Sequence, residues 1–177
     1  MHERIGEAFE LGEYLTVVGR KLIPGEVAPD FSLEYLDRSD ASIHTMKLSA
    51  SGVTVRLLNV VNSLDTSVCH SETRRWEQLS RELPPDVRLY TISMDLPFAL
   101  ARWQSAEGVT HQALSAHRSE HFGEAYGVLI KEWRLLQRAI FVIDRHDRVV
   151  YAEYVADQMR EPNYDAAMQT IRQTLAS

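Results

Sequence analysis

The sequence predicts an α/β fold, a mixed central β-sheet flanked by helices, with an N-terminal β-hairpin. Three observations carry that reading. Short β-branched runs alternate with helical patterns in the middle of the chain, which implies parallel strand pairing. Two later runs separated by a polar turn imply antiparallel strands on one side of the sheet. The 177 residues are 45% hydrophobic and 25% charged, which is globular composition at a length that can bury a core without disulfides.

The elements follow in order. Residues 7–11 and 14–18 flank Gly12-Glu13 and read as the hairpin. Pro24-Gly25 breaks the chain, and Ala28-Pro29-Asp30 leads into a strand over 31–36, with 42–45 able to pair back on it. Residues 53–61, a run of Val, Leu and Thr broken only by Arg56 and Asn59, read as a buried central strand. A polar turn over 62–66 precedes a helix whose three- and four-residue steps are Cys69, Thr73, Trp76, Leu79 or Ser80, and Leu83, stopped by Pro84-Pro85. Residues 87–94 form the next strand. Pro97 opens a helix to about residue 106, with Asp95 as its candidate cap. A short segment after Gly108 and a helix over 119–126 come next. Strands over 139–144 and 148–154 enclose the turn Arg145-His146-Asp147, and a last helix runs from Pro162 or Asn163 to about residue 175. No repeat or linker interrupts this order, so one domain over 1–177 is expected, with residues 1–20 as a hairpin appendage.

Composition excludes several functions. Nineteen Lys and Arg against 25 Asp and Glu give a net charge of −6, without the basic footprint of a nucleic-acid binder. No apolar run reaches the about eighteen residues of a membrane helix. The start, MHERIGEAFELGEYL, carries acids where a secretory leader needs an apolar stretch, so a cytoplasmic location is expected. The single cysteine, Cys69, permits no intramolecular disulfide and no cysteine-rich zinc site. No metal or cofactor is expected.

Cys69 falls after a strand, in the first turn of a helix. There the unpaired backbone N–H groups and the positive end of the helix dipole stabilise a thiolate. Such strand-to-helix junctions are also where open α/β sheets expose functional groups. Position alone leaves a reactive and a merely buried cysteine equally open. Thr66, three residues earlier, is a candidate N-cap. His70 reads as a surface residue. His111, His117 and His121 could in principle reach a thiol, but spacing selects none of them. His117 and His121 could share a helix face as metal ligands, but no third ligand accompanies them.

The run Asn59-Val60-Val61-Asn62-Ser63-Leu64-Asp65-Thr66-Ser67-Val68-Cys69 resembles the active-site segment of the bacterial atypical thiol peroxidases, a branch of the peroxiredoxins, which reads like NVFPSIDTPVC. Val27–Leu33, Ser93–Ala99, Arg118-Ser119 through Val128, Arg138–Asp144 and Glu161–Ala167 extend the likeness in the same order. The resemblance covers about residues 15–175. It implies a thioredoxin-like (peroxiredoxin) fold and reduction of hydrogen peroxide or alkyl hydroperoxides. It also assigns roles: Cys69 the peroxidatic cysteine, Thr66 the motif threonine, and Arg118 the arginine that contacts the thiolate. The backbone N–H of Val68, and Asn62 in the motif turn, would help bind the peroxide. A homodimer is implied as well, with Leu96, Pro97, Phe98 and Trp133 as candidate apolar contacts.

The chain departs from the motif at three places. Asn62 replaces a proline, which should leave the pocket wetter or differently shaped. Ser67 replaces a second proline at the helix start. Gln104, after Trp103, stands where the second cysteine of the atypical pair belongs, so the oxidised Cys69 needs an external thiol, such as thioredoxin or a low-molecular-weight thiol. The alternative reading is a redox sensor or a catalytically silent thioredoxin-fold interaction module.

Overall fold

The computed structural model describes all of residues 1–177. Its elements are β1 (Glu3–Glu10), β2 (Glu13–Val18), β3 (Ser32–Asp37), β4 (Ser42–Lys47), β5 (Val55–Val60), α1 (Ser67–Ser80), β6 (Val87–Ser93), α2 (Pro97–Glu107), β7 (Gln112–Ser115), α3 (His121–Ala125), β8 (Leu129–Ile130), β9 (Leu135–Leu136), β10 (Ala139–Ile143), β11 (Val149–Tyr154) and α4 (Tyr164–Ala176). A seven-stranded mixed sheet has the order β11-β10-β5-β6-β7-β3-β4. The pairs β5–β6 and β6–β7 are parallel, and every other neighbouring pair is antiparallel. This is the expected fold class, with the thioredoxin-like arrangement of a mixed sheet and flanking helices.

All six residues of β5 are buried, as a strand covered on both faces requires. Val55 and Leu57 pack on one face with Trp76 of α1 and with Ala167, Met168 and Ile171 of α4. Leu58 and Val60 pack on the other with Phe122, Tyr126, Phe141 and Phe31. The two-residue alternation of the strand thus feeds two cores. Asn59 shares the α1 side, and its Nδ2 donates to Thr73 at 3.2 Å and Thr91 at 3.0 Å.

The hairpin is fastened to the body. β2 pairs with β8, giving a second sheet of order β1-β2-β8-β9. Arg4 donates to the carbonyls of Gly19 and Gly127. Both glycines have positive φ, at 95° and 66°. A Cβ on Gly19 would lie 2.1 Å from the Glu124 carbonyl oxygen, and one on Gly127 2.1 Å from that of Arg20. Only glycine lets the hairpin exit and the end of α3 approach this closely.

Three strands were not expected from the sequence: β7, within the short segment after Gly108, and the two-residue strands β8 and β9. The expected cap of α2 also differs. Leu96 is its N-cap and Asp95 does not cap it. Asp95 instead accepts from Ser63 Oγ at 2.7 Å, Leu64 N–H at 2.9 Å and Ser93 Oγ at 2.8 Å, which ties the turn before α1 to the end of β6.

Candidate active site

The turn over 61–66 leaves the C-terminal end of β5, an interior strand, and there the first turn of α1 begins. Thr66 is the N-cap by backbone conformation, but its hydroxyl makes no capping bond. It donates to the Ser63 carbonyl at 2.9 Å. The first-turn N–H groups of Val68 and Cys69 therefore have no side-chain partner, and they carry the positive end of the α1 dipole.

Cys69 is fully buried, packed among Val61, Leu64, Leu100 and Ala113 with Trp103 alongside. Two polar groups reach its sulfur. Arg138 Nη1 donates to Sγ at 3.5 Å, and Sγ donates to Asn62 Oδ1 at 3.8 Å. Arg138 stands just ahead of β10, the antiparallel neighbour of β5, and the pairing of Ala139 with Val60 brings it beside the turn that carries Asn62.

The guanidinium is itself buried and fixed. Nη1 is paired with Glu72 on α1, Nη2 donates to the Gln158 carbonyl at 2.8 Å, and Nη2 reaches Asn62 Oδ1 at 3.5 Å. Its planar fork thus spans sulfur, carboxylate and carbonyl together. Burial pushes the Glu72 carboxyl up to about 8, with Arg138 pulling it partly back. Conversely the Arg138 guanidinium, despite the cost of burial, is held above its ordinary value by Glu72 and Cys69. A buried cation at 3.5 Å sets positive charge against the sulfur, where it can also stabilise the oxyanion released when a peroxide O–O bond breaks beside it.

The arginine assignment made from the resemblance is corrected here. Arg118 does not hold the thiol: its side chain is 71% exposed, and its Nε is paired with Glu34 at 2.6 Å. It follows β7, at the β3 side of the sheet, whereas the guanidinium at the sulfur belongs to Arg138, just ahead of β10. Arg138 lay within the resembling segment 138–144 but had been given no role. The overlooked signal is a charged residue abutting five consecutive apolar residues, all buried, where a charge needs a partner. Asn62, expected to leave the pocket wetter or differently shaped, is 4% exposed and hydrogen-bonded.

No histidine reaches the sulfur. His70 Nδ1 accepts from Trp103 Nε1 at 3.1 Å, His111 is held between Glu77 and Thr91, and His117 faces Glu34. Asp37, Asp40 and His44 converge on the exposed β3–β4 turn, where Asp40 is already bonded to His44 and Ser42.

A thioredoxin-like sheet whose one cysteine starts a helix under a buried arginine defines a thiol-redox class of protein. The AhpC/TSA family model matches residues 24–152, and the chain belongs to that family. Thiol peroxidase of Bacillus subtilis (strain 168) is 43% identical over 162 residues, covering 91% of this chain and 93% of that one. Thiol peroxidase of Oceanobacillus iheyensis is 41% identical, covering 87% and 91%. Among solved structures, a peroxiredoxin-like protein from Aquifex aeolicus superposes with a TM-score of 0.82 at 28% identity, covering 96% of this chain and 98% of that one. Thiol peroxidase from Chromobacterium violaceum gives 0.82 at 25% identity, covering 94% and 95%.

Proposed function

We propose that the chain is a thiol peroxidase that reduces hydrogen peroxide or alkyl hydroperoxides through Cys69 alone and is regenerated by an external thiol. The observation that carries this is the Arg138 guanidinium bonded to the sulfur of the only cysteine at the start of α1. A silent module would have no use for a buried charge aimed at its one thiol, because desolvating that charge costs several kcal/mol, on the order of 3–5 if its partner is lost.

In the reaction the Cys69 thiolate attacks one peroxide oxygen, and the O–O bond breaks. The sulfur becomes a sulfenic acid, and the other oxygen leaves as an alkoxide or hydroxide that takes up a proton. Arg138 Nη1 stabilises both the attacking sulfur and the departing oxygen. The N–H groups of Val68 and Cys69 orient the peroxide, and the Thr66 hydroxyl, whose proton is given to Ser63, accepts from the peroxide O–H. An external thiol then attacks the sulfenic sulfur and releases water. A second thiol resolves the mixed disulfide and leaves as a disulfide with the first. Thioredoxin and low-molecular-weight thiols both fit this chemistry.

The lone unpaired thiol accords with a reducing, cytoplasmic location. No helix is long and apolar enough to cross a membrane. A homodimer is part of the proposal, with exposed Leu96 and Phe98 as contacts.

The test is a stopped-flow burst. Reduced protein mixed with peroxide and no reductant consumes one equivalent per chain, and Cys69→Ser consumes none. Absence of a burst in the unaltered protein removes the peroxidase reading.

A further inference from the structure

Asn62 stands where the resembling motif has proline, a residue whose side chain neither donates nor accepts. Here the position carries a carboxamide, and every polar atom of it is engaged. Nδ2 donates to the Leu136 carbonyl at 2.6 Å and to Gln158 Oε1 at 3.0 Å. Gln158, 1% exposed, is fixed in turn: its Nε2 donates to Val155 O at 2.7 Å and Ala156 O at 3.0 Å. Its Oε1 also accepts the Arg138 backbone N–H at 2.9 Å.

These bonds settle which way the Asn62 amide points. Rotated by half a turn, its oxygen would face two acceptors and its NH₂ would face the Arg138 guanidinium. The orientation present is the one that satisfies all donors, and it aims Oδ1 at Sγ of Cys69.

A carbonyl oxygen can only accept. Beside sulfur it favours S–H over S⁻, and after oxidation it favours S–OH over S–O⁻. Arg138 favours the anion in both states. The sulfur therefore sits between two groups of opposite preference, one of which the motif proline could not supply.

We propose that Asn62, locked by Gln158, is a positioning residue whose Oδ1 opposes Arg138 at the sulfur, drawing the resting Cys69 towards its thiol and keeping the sulfenic acid protonated after the reaction. This rests on Cys69 being the peroxide-reactive sulfur. Its consequence follows from the chemistry of over-oxidation. A sulfenate attacks a second peroxide, its sulfur gains an oxygen, and an alkoxide or hydroxide leaves, giving the sulfinic acid. A sulfenic acid kept protonated attacks poorly. In a chain without a resolving cysteine, the Asn62 acceptor prolongs the state that awaits an outside thiol.

The experiment measures the rate of iodoacetamide alkylation of Cys69 against pH, in the unaltered protein, Asn62→Ala, Asn62→Pro and Gln158→Met. Losing the acceptor is expected to lower the midpoint by about one pH unit, a tenfold gain in thiolate below it. Sulfinic acid, read by mass spectrometry under excess peroxide, should then form several-fold faster. Gln158→Met, which keeps Asn62 but frees its amide to turn, should shift both readouts the same way by less. An unchanged or raised midpoint in folded Asn62→Ala overturns the proposal. Should both Asn62 variants fail to fold by circular dichroism, an unchanged Gln158→Met midpoint overturns it instead. A missing peroxide burst in the unaltered protein would sink the peroxidase reading separately, since alkylation does not depend on it.

Discussion

Arg138 and Glu72 form a buried hydrogen-bonded pair beside the sulfur, and each sets a measurable property. Arg138→Lys keeps the charge but loses the fork that serves Sγ, Glu72 and Gln158 at once. Its peroxide burst should slow by about 10²–10³, the scale of losing an oriented donor at a developing anion. Arg118→Ala should leave the burst rate within about twofold, as an exposed pair with Glu34 predicts. Equal losses in the two variants would mean that the site rearranges on binding peroxide. Glu72→Leu strands the guanidinium without its buried acceptor and should cost about 3–5 kcal/mol in urea unfolding. Glu72→Gln retains an acceptor and should cost less. The pH sign follows from burial, which raises Glu72 from 4.5 to about 8. The folded chain then binds this proton more tightly than the unfolded chain, so stability is greatest at the acid end of that window and is lost as pH rises from 4.5 towards 8. Urea midpoints across that range should show this decline in the unaltered protein, and Glu72→Gln should flatten it. The place of Cys69 in the first turn of a helix was legible in the sequence because a helix start is a local feature. The arginine was not, because the partner of a buried charge is set by the register of β10 on β5, which a linear reading does not see.

At the scale of elements, α2 is the cover over the sulfur. Leu100 packs in the same cluster as Cys69, and Trp103 lies against it. Several side-chain contacts fasten α2: Trp103 Nε1 to His70 on α1 at 3.1 Å, Gln104 Nε2 to the His111 carbonyl at 2.7 Å, Arg38 Nη2 to the Ala101 carbonyl at 3.2 Å, and Glu107 paired with His70 and Arg74 at 3.6 and 3.7 Å. Gln104 therefore replaces a reactive group with a tether. A fully buried sulfenic acid cannot meet a bulky thiol unless this cover lifts. Gln104→Cys, which cuts one tether, should form an intramolecular disulfide with Cys69 after one equivalent of peroxide. Adding Trp103→Ala, which cuts a second, should raise the bridged fraction. Intact-mass spectrometry decides it, and no bridge in either variant would mean that α2 stays closed. The helices themselves were legible from period and punctuation: Pro97 opens α2, and the Asn163 side chain caps α4 by accepting from Ala166 N–H at 3.0 Å. The strands β8 and β9 were not, because two residues carry no period. Asp95 sits beside Pro97 like a cap, yet it bonds backward to Ser63 and Leu64, a choice made by tertiary contact.

At the scale of the molecule, the apolar residues that do not enter a core bear on assembly. Of the four expected dimer contacts, Pro97 is buried and Trp133 packs against the hairpin cluster of Ala8, Leu15, Val17 and Ile130. Both are occupied within the chain. Leu96 and Phe98 are 52% and 60% exposed, side by side at the start of α2. Burying a large apolar side chain is worth about 1.5–3 kcal/mol, and a twofold interface would count each one twice. Their place also matters, since Asp95 links the residues just before α2 to the turn that holds Asn62 and Thr66. A partner seated on Leu96 and Phe98 would press on the end of the same helix that covers Cys69, so assembly and access to the sulfur would be coupled. Light scattering should give twice the chain mass of 20.2 kDa. Phe98→Asp should return it to the monomer and, by loosening the start of α2, speed the reaction of oxidised Cys69 with a protein thiol. A monomer mass in the unaltered chain at all concentrations would reject the dimer. A monomeric Phe98→Asp with unchanged thiol reactivity would leave the dimer standing and show that α2 opens without regard to it.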